Sequence, residues 1–179
     1  EIVTIGIEAA QLAMLSGAVD AATLLEPSAT IVLQRNPKLK AVISAREMFP
    51  NIPGVVFAVQ RKLIAERRDD VRALVDLVIR ATDLIKTKPA EAAPHVAAVL
   101  GGGLVDPSVM VKAMTSRAVE YVVDPNAIVD STKAMFDYQV ELGDFPKAPP
   151  IEGLFDFSFY DAAAKRSSAT FAPAGETRP

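Results

Sequence analysis

An apolar run at residues 18–25, AVDAATLL, stops abruptly on Glu26 and Pro27. That junction constrains the chain more than any other feature. A short run so poor in polar residues suits a strand covered on both faces. Proline has its φ preset for the first helical turn, so the run ends where a new helix, SATIVLQRN, can begin. A carboxylate at this spot either caps the helix or faces a cation or polar group. In an open α/β sheet the carboxyl ends of strands, together with helix N-termini, are where ligands collect. If Glu26 meets an amine or guanidinium in a partly dry cleft, the charge-assisted bond contributes roughly 1.5–3 kcal/mol.

The flanking pattern extends the alternation. Ile2, Val3, Ile5 and Ile7 make a β-branched strand candidate. EAAQLAMLSG follows as a helix, with Ala9, Leu12, Ala13 and Leu15 near one face and Gly17 as its C-cap. The second helix stops at Asn36–Pro37, and LKAVISA reads as a third strand. The order β-α-β-α-β predicts an α/β layer structure with a mostly parallel sheet. MFPNIPG, with two prolines and a glycine, reads as a loop or hinge, and VVFAVQ as one more strand.

Beyond residue 60 the texture is helical. RDDVRALVDLVIRATDLIKTKP carries an apolar stripe of Val71, Leu74, Val75, Val78 and Ile85. Asp69 and Asp70 at its start and Lys86 and Lys88 at its end match the helix dipole. PAEAAPHVAAVLGGG, DPSVMVKAMTSRAVEYV and DPNAIVDSTKAMFDYQVELGD read as three further helices. Asp106–Pro107 and Asp124–Pro125 are N-cap and first-turn pairs. KAPPIEG reads as a loop, LFDFSFYDAAAKR as a short element, and residues 167–179 as a flexible tail.

Composition narrows the chemistry. The 179 residues carry a net charge of −3 with no basic face, which argues against a nucleic-acid partner. The densest basic stretch, RKLIAERR, is diluted by Glu66, Asp69 and Asp70 and reads as a solvated helix face. The absence of cysteine excludes thiol catalysis and Cys-ligated metals within this sequence. LVDLVIRATDLI is interrupted by Asp76, Arg80 and Asp83, so it does not read as a membrane span. The sequence opens on EIVTIGI without a methionine, which reads as a piece of a longer protein. The glycines at 101–103 lack the Lys-Ser/Thr of a phosphate loop and follow a helix, so a C-cap and linker is expected there. His95 is the only histidine and has no ligand partner at metal-binding spacing; a surface or capping role is expected. No serine sits in a G-x-S-x-G context. Neither a metal, a cofactor nor a catalytic residue is expected.

Two segments carry a family resemblance: MLSGAVDAATLLEP, with its G-x-V-D-A…E-P core, and PGVVFAVQRKLIAERRDDVRALVDLVIRATDLIKTKPAEAA. They resemble the substrate-binding proteins of bacterial ABC importers, in the nitrate/sulfonate/taurine/bicarbonate and thiamine-precursor (NMT1-like) group. The likeness covers roughly residues 1–100. It implies an α/β, periplasmic-binding-protein-like (type II) two-lobe fold, of which this chain holds only the C-terminal part. Residues 1–48 would complete lobe two, residues 49–54 would be the return crossing, and residues 55–166 would rejoin lobe one with one strand and then mostly helices.

The same resemblance implies the function. The chain would be the solute-binding component of an importer, capturing a small polar or anionic solute such as a sulfonate, nitrate, bicarbonate or pyrimidine by lobe closure. It would not be an enzyme. It would deliver the solute to a membrane permease from a periplasmic or other extracytoplasmic position, a membrane-anchored lipoprotein form included. Glu26 becomes the expected ligand-binding residue, with Leu25, Pro27 and Ser28 as its neighbours. If part of the fold is missing, uncovered strand edges predict self-association. Two other readings use the same scaffold: a thiamine-pyrimidine synthesis enzyme, which would want clustered histidines, and a ligand-sensing effector domain of a transcription regulator.

Overall fold

The computed structural model describes residues 1–50, 52–100 and 105–170, with side chains through Arg166. Asn51 of the expected hinge, the glycines at 101–103 and tail residues 171–179 lie outside the described residues. Contacts divide the chain into two compact units, one of residues 1–49 and 82–121, the other of residues 50–81 and 122–179.

Unit one begins with α1 (Ile7–Ser16). Gly17 ends it in the left-handed conformation, φ 74°. There the Gly17 amide reaches the Met14 carbonyl and the Ala18 amide reaches Ala13 at 2.9 Å, the paired closure that glycine permits without strain. α2 (Ser28–Arg35) starts directly after Pro27 and packs against α1, burying Thr30 and Val32. A single turn, α3 (Ala45–Met48), is held by a reciprocal capping box. The Ser44 hydroxyl accepts from the Glu47 amide, and the Glu47 carboxylate accepts from the Ser44 amide at 2.8 Å.

Unit two supplies α4 (Arg61–Glu66) and the start of α5 (Arg68–Thr87), whose last residues belong to unit one. The stripe expected on α5 is only partly used: Val71 is buried and Val75 half-buried, while Leu74 and Val78 remain exposed.

α6 (Pro89–Leu100) and α7 (Pro107–Met114) form the best-packed region of unit one. Ala92, Ala93 and Ala97 meet Met110 and Met114, with Leu84, Ile85, Val96, Val105 and Val111 around them. Alanine on one face lets the helix backbones approach, and unbranched methionine fills the remaining space. The Asp106 carboxylate caps α7 by accepting from the Ser108 amide at 2.7 Å. In the second unit, Asp124 does the same for Asn126 at the 3₁₀ turn Pro125–Ile128, which leads into α8 (Val129–Glu141).

Unit two closes with α9 (Ser158–Thr170). Arg68 reaches the Ser158 hydroxyl at 2.6 Å, and Asp76 accepts from Arg166 at 2.6 Å. Both pairs are separated by 90 residues in sequence, so α5 and α9 run side by side in the same direction. Arg68 also lies over the Phe159 ring, 4.4 Å from its centre.

The α/β two-lobe fold and its β-α-β-α-β opening are corrected here. Among the described residues there is no strand and no sheet. The runs expected to be strands do not pair: among the described residues no backbone–backbone hydrogen bond engages residues 2–5, 19–24, 40–43 or 55–59. Most of their side chains are open to solvent, with Ile2 99 %, Val42 94 % and Val55 91 % exposed. β-branched composition favours a pleated, half-buried surface, but a strand becomes one only against a ladder partner. LKAVISA also ends differently from expectation, since Ser44 serves as the N-cap of α3.

The packing of α6 on α7 yields a stability prediction. Met110 is 1 % exposed, so Met110→Ala leaves a cavity and is expected to cost about 2–5 kcal/mol in urea unfolding. A cost near zero would mean that this cluster is not the core of its unit.

Candidate functional site

The described part of unit one holds an open cleft of about 330 Å³, lined by Ile85, Lys86, Met114, Thr115, Val119, Glu120 and Tyr121. It exists because α7 stops early. The sequence predicts a helix through DPSVMVKAMTSRAVEYV, but the helix ends at Met114. The Thr115 hydroxyl turns back to the Val111 carbonyl at 2.8 Å, and the Ser116 hydroxyl accepts from the Ala118 amide at 3.3 Å. Such local bonds compete with helix propagation. Residues 119–121 are left as a non-helical wall opposite the end of α5, which contributes Ile85 and Lys86.

The wall chemistry is mixed. Ile85, Met114 and Val119 give an apolar floor. Glu120 is paired with Arg46 at 3.2 Å. Lys86 makes no ion pair among the described residues, so its ammonium is available to an acceptor. The half-buried Tyr121 presents a phenol. Burial raises the Tyr121 pKa above 10.0, and the negative charge of Glu26 pushes in the same direction. At neutral pH Tyr121 is therefore a neutral donor and acceptor.

Glu26 is half-buried, and its Oε2 accepts from the Thr30 amide at 3.1 Å, satisfying a free N–H in the first turn of α2. Its Oε1 takes no hydrogen bond among the described residues. Glu26 is not one of the residues lining the cleft; its charge adds to the burial that raises the Tyr121 pKa. Of the other residues that sequence reasoning selected, Leu25 is 58 % exposed, Pro27 is half-buried beside the start of α2, and Ser28 is its first residue. None of these three lines the cleft. Sequence reasoning missed Lys86, Glu120 and Tyr121. The available signal was Thr115–Ser116, two residues able to end α7 ahead of Tyr121.

His95 is exposed on α6, and no group of three or more His, Asp or Glu able to hold a metal occurs among the described residues. No described helix is long and apolar enough to cross a membrane. In comparisons with known proteins, a family model described as NMT1-like family matches residues 1–101. No curated protein and no solved structure matches. The match contains Glu26, Arg46, Ile85 and Lys86; the wall from Met114 to Tyr121 lies beyond it.

The raised Tyr121 pKa fixes a pH response. A phenol whose folded pKa exceeds its unfolded value contributes stability that is fully present below about pH 10 and is lost as pH rises through the folded midpoint. Glu26→Gln is expected to bring the Tyr121 midpoint down while leaving it above 10.0, because burial is the larger cause. Tyrosinate absorbance, with Tyr121→Phe to assign the signal, measures this. An unchanged midpoint in Glu26→Gln would separate the two groups electrostatically.

Proposed function

Because the chain belongs to the NMT1-like family of substrate-binding proteins, we propose that it binds a small solute in the cleft bounded by Lys86, Glu120 and Tyr121. The observation that carries this reading is the family match over residues 1–101, which includes one wall of the cleft. A volume of about 330 Å³ sits at the small end of ligand pockets, which run roughly 300–1,000 Å³.

The lining favours one of the expected solute classes. A flat, pyrimidine-like solute would lay its ring on Met114, Ile85 and Val119. Its ring nitrogens would accept from Tyr121 or Lys86, and an exocyclic amine would donate to Glu120. Nitrate and bicarbonate offer no apolar surface to that floor, and a sulfonate would meet the Glu120 carboxylate beside Lys86. In this reading Glu26 is a positioning residue: it anchors the start of α2, and its charge adds to the burial that raises the Tyr121 pKa. Binding without chemistry, delivery to the permease of an ABC importer and an extracytoplasmic location complete the proposal. Exposed apolar residues such as Ile2, Val42 and Val55 support the further expectation of self-association, which light scattering would contradict by giving a monodisperse monomer.

A thermal-shift panel of aminopyrimidines, sulfonates, nitrate and bicarbonate tests the solute. Ligand at a hundredfold excess over Kd stabilises by about 2.7 kcal/mol, which for a chain of this size raises Tm by roughly 5–10 °C. An aminopyrimidine is expected to do so, and Tyr121→Phe to weaken its calorimetric affinity about 2- to 10-fold. A panel without any shift would contradict the solute assignment. Unchanged affinity in both Tyr121→Phe and Lys86→Met would remove the binding from this cleft.

A further inference from the structure

Unit two contains a second concavity, of about 450 Å³, that solute capture in unit one does not use. Arg61, Ile64, Gly153, Phe155, Asp156, Phe157 and Ser158 surround it. Its charges are unevenly committed. Asp156 accepts from the Ser158 amide at 3.1 Å and from the Ser158 hydroxyl, and it stands 3.7 Å from Arg68. The carboxylate is thus spent on the start of α9. Arg61 makes one hydrogen bond, to the Gly153 carbonyl at 3.2 Å, and among the described residues it has no ion pair. Of the five N–H donors on a guanidinium, the others make no hydrogen bond among the described residues.

The turn at Gly153 lies next to that guanidinium. Gly153 has φ +75°, and a Cβ placed there would stand 3.4 Å from Nη2 of Arg61. The positive φ is what calls for glycine here; a Cβ at that distance would only touch the end of the flexible Arg61 side chain. Beside it, the Phe155 and Phe157 rings are stacked, with centres 5.7 Å apart and planes within 15°. Ile64 completes an apolar wall.

We propose that this concavity is a second ligand site that takes a small aromatic carboxylate, its ring against Phe155, Phe157 and Ile64 and its carboxylate on the Arg61 fork. A planar carboxylate matches the guanidinium with two parallel hydrogen bonds. The aromatic part removes phenyl and aliphatic surface from water. An inorganic anion would use only the cation, and an aromatic amine would be repelled by it.

Benzoate is the probe, with acetate, benzamide and benzylamine as comparisons in calorimetry on the whole chain. Benzoate is expected to bind, acetate and benzamide more weakly, and benzylamine not at all. Arg61→Met should weaken benzoate about tenfold or more, while Arg61→Lys, which keeps the charge and loses the fork, falls between. Thermal melts of the unliganded variants identify any that do not fold, and Arg61→Lys then decides. Lys86→Ala, in the other unit, is expected to bind benzoate like the parent. The site is refuted if benzoate gives no saturable binding, if benzylamine binds as well, or if both Arg61 variants match the parent. Loss of benzoate binding in Lys86→Ala would place the aromatic acid in unit one instead. Failure here leaves the aminopyrimidine result untouched, because the two concavities share no residue.

Discussion

The close contact of α6 with α7, alanines 92, 93 and 97 against Met110 and Met114, is the constraint on which the arrangement of unit one depends. Leu84 and Ile85, at the end of α5, pack on the same cluster, so the position of Lys86 follows from it. Met114 belongs to the cluster and also to the floor of the cleft. The end of α7 is thereby fixed in space before the chain turns at Thr115. Dispersion and apolar burial hold this geometry, since each exposed ion pair nearby, such as Lys88–Glu91, contributes little.

Glu26 gains its role from the same unit. Its carboxylate has two oxygens and two effects. One oxygen accepts from the Thr30 amide, which ties the residue to the first turn of α2. Burial, with the charge of the group adding to it, disfavours the tyrosinate form of Tyr121. Of the two roles posed by its position in the sequence, helix cap or ligand contact, the structure shows the bond at the start of α2; Glu26 does not line the cleft.

Much of the helical architecture was legible because its signals are local. Gly17, Asp106 and Asp124 mark helix boundaries through groups that act within a few residues, and each acts as its chemistry predicts. The expected strands failed for the opposite reason. Ile2, Val42 and Val55 report β-preference, but pairing depends on residues distant in sequence, and no partner ladder forms among the described residues. The cleft was hidden by a similar limit. Tyr121 sat inside an apolar pattern that continued the α7 period, and only the hydroxyls of Thr115 and Ser116 argued for a stop. Glu26 stood out from its place at a junction, while its bond to Thr30 and its electrostatic effect on Tyr121 required three-dimensional geometry.

The central claim is the proposal that solute occupies the space between Lys86 and Tyr121. Amide NMR of the whole chain, titrated with an aminopyrimidine, tests this most directly. The account predicts saturable shifts at Lys86, Thr115, Glu120 and Tyr121, with a smaller response at the Thr30 amide that Glu26 holds. Saturable shifts confined to other residues, with these amides still, would contradict it.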